Sequence, residues 1–218
     1  MDLTLIERDA VRILFILYYC GEKNFQLAFE EAGRHTHSRS MVSETKLQKL
    51  DFWLRYPDHL AAALLHQCTT GSDLGKRKDE IKEFVRQIFQ NEEPILRWIP
   101  MRKYIRGAYE PLDRVMAFLS CRELAYRRVL EWGHATRYFL TNKGTDAVEN
   151  LQRECEESLW YAQRCKCINS FFGHLKGYEI RDQQYLEDEY RLTPNLETIV
   201  RIEPLVRQRF QYLFGEPL

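Results

Sequence analysis

The 218-residue sequence predicts a mainly α-helical fold that carries a small β-hairpin. Two observations predict the helices: apolar residues recur every three or four positions, and only 10 Gly and 7 Pro interrupt the chain. A third predicts the hairpin, because the apolar period changes between residues 126 and 141, where two strand-like runs flank a turn at Gly133. An apolar content of 44% is enough for a substantial core.

Residues 1–77 are predicted to form an N-terminal helical region. Its first helix, residues 3–20, is apolar on nearly all sides, which indicates burial on two faces. The polar stretch 31–43 is predicted to be a loop. Ser43 is then expected to cap a second helix, and Pro57 to end that helix and begin another.

Residues 78–152 are predicted to form a winged-helix-like module. The predicted elements are helices at 79–90, 94–100 and 110–124, strands at 126–132 and 137–141, and a helix that begins near 145. This is the order of a winged helix-turn-helix. The sharpest signal is the Leu140-Thr141-x-x-Gly144 step, in which Thr141 ends the strand, Gly144 allows the turn and Thr145 caps the next helix. The alternative is an incidental hairpin on a helical protein.

Residues 153–218 are predicted to form a C-terminal helical region. The helix that begins near 145 continues through 168 with apolar residues every three or four positions. Thr193 and Pro194 are expected to open a last helix that runs to Phe214.

The charge of the chain bears on nucleic-acid binding. Lys and Arg number 32 and balance 32 Asp and Glu, which argues against wrapping a long stretch of nucleic acid. The expected recognition helix, 110–124, is nearly neutral. The candidate contacts to DNA phosphates are Arg102, Lys103, Arg106, Arg127, Arg128 and Arg137. The alternative is a solvated face of ordinary surface charges, so the module is at least as suited to docking protein as DNA.

No catalytic, metal or cofactor site is predicted. The two most metal-like groups are the loop pair His35 and His37 and the trio Cys165, Cys167 and His174. Cys165 and Cys167 would face different sides of a helix, so one is expected in the core and the other at the surface.

Two further segments imitate catalytic motifs. Residues 71–77 lack the spacing and the Ser or Thr of a phosphate loop, and the acidic-lysine cluster at 79–82 lies on a helix, where neighbours diverge. The sequence therefore predicts a protein that is not an enzyme. An enzyme assembled from dispersed carboxylates stays open as a less favoured alternative.

The cysteines and the N-terminus predict a cytoplasmic location. Six cysteines occur without CxxC spacing, which indicates reduced thiols, and Cys20, Cys121 and Cys155 lie in apolar periodic segments that predict burial. The apolar run 11–20 is too short to cross a bilayer, and no signal peptide is recognised.

Three segments carry a resemblance to a known family. They are residues 50–57 (LDFWLRYP), residues 101–114 (MRKYIRGAYEPLDR) and residues 138–144 (YFLTNKG). In this order they resemble the small middle components of bacterial three-component ATPase systems, including the small subunit of Lamassu-type antiphage defence. The resemblance spans about residues 44–152.

The resemblance implies a function in antiviral defence. Proteins of that family look like winged-helix adaptors that accompany an SMC/Rad50-like ATPase and an effector, often a nuclease. The implied role is a non-enzymatic subunit that bridges the two partners, with at most non-specific contact to DNA and no membrane. The alternative is a winged-helix transcription regulator that binds DNA, which would bind duplex sequence-specifically.

Overall fold

The computed structural model of the chain describes residues 4–23, 37–69, 77–90, 100–105, 107–129 and 136–218. Helices account for 65% of these residues, which confirms the mainly helical prediction. The helices are α1 (Leu5–Cys20), α2 (Glu44–Arg55), α3 (Pro57–Thr69), α4 (Lys78–Gln90), α5 (Asp113–Cys121), α6 (Asn142–Glu154), α7 (Ser158–Phe172), α8 (Gly177–Gln184), α9 (Asp188–Leu192) and α10 (Glu203–Phe214). The strands are β1 (Glu22–Lys23), β2 (His37–Val42), β3 (Arg102–Tyr104), β4 (Gly107–Tyr109), β5 (Ala125–Val129) and β6 (Thr136–Thr141).

The predicted hairpin is present as β5 and β6, which pair antiparallel with Ala125 opposite Leu140. It belongs to a larger antiparallel sheet in the order β1-β2-β6-β5. Strand β2 pairs with the free side of β6 and sets Ser40 opposite Phe139. The loop predicted at 31–43 is therefore wrong for its described part, because residues 37–42 form this strand. Only Met41 and Val42 are apolar there, so the run has no alternating pattern to reveal it.

Helix α2 lies at the centre of the protein. Every residue from Leu47 to Arg55 is buried, including Gln48, Lys49 and Asp51. The helix contacts α1, α3, α7, α8 and strand β4, and its Trp53 ring packs 4.5 Å from that of Phe172. The apolar positions predicted for this helix are confirmed, and its polar positions are buried as well because neighbours cover every side.

Three helix boundaries differ from the prediction. Helix α5 begins at Asp113, and the proline at 111 disfavours a helical conformation at Glu110 before it. The helix expected from 145 to 168 is two helices, since Cys155 is extended between them. The last helix begins at Glu203, ten residues later than expected.

A second, two-stranded sheet was not predicted. Strands β3 and β4 pair antiparallel around Ile105, and the helix expected at 94–100 lies almost wholly outside the described residues. The segment before α10 runs beside β3: the Lys103 N–H donates to the Glu197 carbonyl over 2.9 Å, and the Ile199 N–H donates to the Met101 carbonyl over 3.0 Å. These backbone bonds tie residues 196–199 to β3, which explains the late start of α10.

The three predicted regions share one apolar core among the described residues. Strand β2 of the first region completes the sheet of the second. Helix α4 packs on α3, and its Phe84 ring lies 5.8 Å from that of Phe171 in α7. Helix α7 in turn packs along α1. Segment 78–152, for which a winged-helix-like module was predicted, is thus in contact with the regions on both sides of it.

Candidate functional site

The Leu-Thr-x-x-Gly step joins β6 to α6. The Thr141 hydroxyl accepts a hydrogen bond from the Gly144 N–H over 2.9 Å and lies 2.7 Å from the Glu123 carbonyl oxygen, to which it donates. A Cβ on Gly144 would lie 2.1 Å from the Leu124 carbonyl oxygen. Thr141 therefore caps the helix, and the prediction that Thr145 does so is wrong. The step fastens the start of α6 to the turn that follows α5.

Helix α5 presents one side to solvent beside the hairpin. Its apolar residues Val115, Met116 and Leu119 face the core. The exposed positions are Asp113, Arg114, Ala117, Ser120 and Cys121. We call these five residues the α5 face. Asp113 and Arg114 offset each other in formal charge, and the remaining three side chains are small and uncharged.

Two of the six predicted phosphate contacts are buried. The Lys103 ammonium donates to the carbonyls of Arg191, over 2.6 Å, and Thr193, over 2.7 Å. The Arg137 guanidinium donates to the Ser40 hydroxyl over 3.1 Å, and burial lowers its pKa. Both cations are held inside the protein by these bonds and cannot reach a phosphate without leaving them.

Three of the other four predicted contacts lie in the described part of the chain, and they are divided between the two sheets. Arg127 is exposed and forms an ion pair with Asp113 over 2.7 Å. Arg102 is exposed on β3 of the small sheet, whereas Arg128 lies on β5 of the larger sheet, 6.0 Å from the Tyr126 ring centroid. Arg106 lies outside the described residues.

A buried network of charges lies beneath the α5 face. Arg12 of α1 bonds to Asp9, 2.9 Å away, and to Asp51 of α2. Arg55 also approaches Asp51, at 3.6 Å, and forms an ion pair with Glu110 just before α5. Burial lowers the pKa of Arg12, but Asp51 and Asp9 raise it further, above its ordinary value. Because arginines neutralise these carboxylates, the network acts as a structural clamp between α1, α2 and α5.

Lys49 forms a second buried polar network that the sequence did not indicate. Its ammonium donates to the Ala108 carbonyl over 2.9 Å, and the Ala108 N–H donates to the Tyr190 hydroxyl over 2.7 Å. The Gln184 amide donates to the Lys49 carbonyl over 3.0 Å. Burial, with a smaller contribution from Arg181, lowers the pKa of Lys49 to about 7. Among the described residues no carboxylate forms an ion pair with it.

One cavity has a volume of about 990 Å³. It lies between the end of α1, the start of α2 and the turn that joins α7 to α8. Lys46 lines it and donates to the Gly173 carbonyl over 2.8 Å. Lys176, His174 and Tyr178 also line it and are exposed. No sequence motif marked this cavity, because its lining comes from three separate stretches of the chain.

The metal-like loop pair His35 and His37 is described only in part. The His37 ring packs edge-on against Phe139, 5.0 Å away, and His35 lies outside the described residues. Within the described ranges, no three His, Cys, Asp or Glu side chains could hold a metal ion together.

All six cysteines are free thiols, but their burial differs from expectation. Cys165 and Cys167 are both buried, and burial raises the pKa of each thiol. One of the two was expected at the surface. Helix α7 instead lies between α1 and α4, so two of its sides are covered. Cys20 is buried as expected, Cys155 is only half-buried, and Cys121 is exposed.

The segments that imitate catalytic motifs do not converge on a site where they are described. Residues 71–76 lie outside the described part of the chain. The Arg77 guanidinium donates to both carboxylate oxygens of Glu80 over 2.6 Å. Lys82 pairs instead with Glu216 at the far end of the chain. Glu80 and Lys82 therefore serve different ion pairs.

No helix in the described ranges is both long and apolar enough to cross a membrane. Comparison with known proteins gives no match: no family model, no curated protein and no solved structure matches this chain.

Proposed function

We propose that this chain is a non-enzymatic adaptor subunit that docks protein partners on a winged-helix-like part. The observation that carries the proposal is the charge of the α5 face. A helix that reads DNA in the major groove brings several cationic or amide side chains to bases and phosphates. The α5 face offers one arginine, Arg114, beside one aspartate, Asp113, and three small uncharged residues. Such a face lacks the donors that a major-groove reader needs, which favours a protein partner over DNA in this proposal.

The winged-helix part of the proposal rests on the order and pairing of six elements. Along the chain these are α1, β2, α2, α5, β5 and β6, and the sheet order β2-β6-β5 sets the first strand beside the last. Helix α1 contacts α2, α5 and both β2 and β6. A winged helix-turn-helix has this alternation of helices and strands. In the proposal, residues 56–112 are an insertion between the second and third helices, and the module begins at α1 rather than at residue 78.

The identity of the partners follows from the resemblance of residues 44–152. We propose an SMC/Rad50-like ATPase and an effector such as a nuclease, assembled in an antiviral defence complex. Two cations that could have supported a DNA-binding role, Lys103 and Arg137, are occupied by bonds within the protein. Non-specific contact through Arg102 and Arg128 is compatible with the adaptor role, because neither reads sequence.

The proposal predicts that an SMC-like ATPase is encoded beside this gene, and co-expression with such an ATPase tests it. The wild-type chain is expected to co-purify with the ATPase, and Ala117→Arg on the α5 face is expected to abolish the complex because the long cation blocks close packing. Asn150→Arg, on an exposed position of α6, is the matched control and is expected to leave the complex intact. Purification of the chain as a monomer that does not bind the ATPase would overturn the proposal.

A duplex-binding assay addresses the competing role as a transcription regulator. Fluorescence anisotropy with genomic and scrambled duplexes is expected to give equal, weak and salt-sensitive affinities. A strong preference for one sequence, together with a homodimer in solution, would favour the regulator and contradict the adaptor.

A further inference from the structure

We propose that the cavity between α1, α2 and the α7–α8 turn binds a nucleoside phosphate. Its volume of about 990 Å³ lies within the range of about 300–1,000 Å³ that small-molecule sites occupy. The proposal goes beyond the adaptor role and does not depend on it.

The phosphate end of the site is formed by Lys46. This side chain is half-buried, and its ammonium donates to the Gly173 carbonyl over 2.8 Å. Burial lowers its pKa, and the smaller contributions of Cys20, Glu22 and Glu179, which raise it, do not offset that effect. In the described part of the chain Lys46 forms no ion pair. A partly desolvated ammonium without a counter-ion is unfavourable, and an anion in the cavity would offset that cost.

The surroundings of Lys46 add positive potential on the same wall. The first turn of α2 lines the cavity through Thr45 and Lys46, and the positive end of the helix dipole lies at this turn. Lys176 stands exposed at the rim. Arg181 also lines the cavity but is bound to Asp182 over 2.8 Å, so it adds less. The combination suits a multiply charged phosphate.

The nucleoside end of the site is formed by Tyr178. Its side chain lines the cavity and is 52% exposed, with the exposed His174 ring on the same wall. A base stacks favourably on such aromatic surfaces, whichever base it is. The aromatic wall therefore favours a nucleoside phosphate over an inorganic one.

Isothermal titration calorimetry on the full chain tests the site with AMP, ATP and inorganic phosphate as probes. The nucleotides are expected to bind more tightly than phosphate. Lys46→Gln removes a charged hydrogen bond and is expected to weaken all three by about tenfold or more. Tyr178→Ala is expected to weaken the nucleotides by about fivefold or more and to leave phosphate unchanged.

Two further variants keep the outcome clear. Lys176→Gln changes an exposed side chain at the rim and is expected to weaken binding by several-fold without affecting the fold. Lys143→Gln changes an exposed lysine that pairs with Glu123, away from the cavity, and is expected to leave binding unchanged. Circular dichroism and the melting temperature verify that each variant is folded.

The results that overturn the inference are distinct from those that overturn the adaptor role. Absence of binding by all three probes at about millimolar concentration, where weak ligands are still detected, excludes the site. Binding that Lys46→Gln and Lys176→Gln leave unchanged excludes this location. Equal affinity for phosphate and nucleotides excludes the nucleoside part. Complex formation with the ATPase is read separately by co-purification.

Discussion

Replacement of Lys49 by methionine is expected to change how the stability of the protein depends on pH. Lys49 is 2% exposed, and burial lowers its pKa from 10.5 to about 7 in the folded state. The unfolded chain therefore binds more protons than the folded protein between these two values, so the stability of the wild type rises as the pH rises through this window. Methionine has a similar volume and no charge, so the variant lacks this contribution.

The magnitude follows from the same two values. Each pH unit between the folded and unfolded pKa corresponds to about 1.4 kcal/mol, so the lowered pKa of Lys49 destabilises the folded protein by about 4 kcal/mol at pH 7. About 2 kcal/mol of this destabilisation disappears as the pH rises from 7 to 9. The Ala108 carbonyl loses its partner in the variant, which costs about 1–3 kcal/mol at every pH. The advantage of the variant over the wild type should thus shrink by about 2 kcal/mol from pH 7 to pH 9.

Urea unfolding, followed by tryptophan fluorescence at several pH values, measures this difference. Other titrating groups are shared by the two proteins and cancel. Lys143→Met, at a side chain that is 61% exposed, is the control and should give a difference that is constant with pH. A difference for Lys49→Met that is equally constant between pH 7 and pH 9 would refute the reasoning, because the Lys49 pKa would then be the same in the folded and unfolded states.

Three further substitutions test the contacts around the candidate site, each by urea unfolding. Gly144→Ala drives a Cβ into the Leu124 carbonyl and should destabilise the protein by about 1–3 kcal/mol. Asp51→Asn leaves two buried arginines without their shared partner and should cost about 3–5 kcal/mol. Burial raises the pKa of Glu187, but hydrogen bonds from its two basic partners, His66 and Arg209, lower it by more, to about 2. Glu187→Gln should therefore cost about 3 kcal/mol at pH 7, and the loss should vanish as the pH falls from about 4.5 to about 2. If the free energy of unfolding of Glu187→Gln fell in parallel with that of the wild type as the pH is lowered, the low pKa assigned to Glu187 would be contradicted.

Local sequence patterns correctly predicted the helices and the hairpin whose formation depends on residues near each other in the chain. The stripe of Ile81, Val85 and Ile88 marked α4, and the break at Pro57 separated α2 from α3. The hairpin was recognised from its change of period. Each of these features depends on residues close together in the chain, so it can be recognised in a short stretch of the sequence.

Long-range contacts account for what the sequence could not predict. Strand β2 is polar, and it is a strand because β6 pairs with it, about a hundred residues later. Lys103 looked like a surface cation, yet backbone carbonyls of a segment some ninety residues away enclose it. The cavity beside Lys46 and the network of Lys49 are likewise assembled from separate stretches. The residue pattern of one segment does not show which distant segment will contact it in the fold.

The pairing of β2 with β6 also bears on how the chain folds during synthesis. The ribosome completes β2 long before β6 exists, so the strand emerges without the neighbour that covers one of its edges. Closing so long a loop is slow compared with forming the β5–β6 hairpin, whose strands are close in sequence. We therefore expect the hairpin to form first and β2 to add to it afterwards. Until then the nascent N-terminal strand presents an unpaired edge, the kind of surface that chaperones shield.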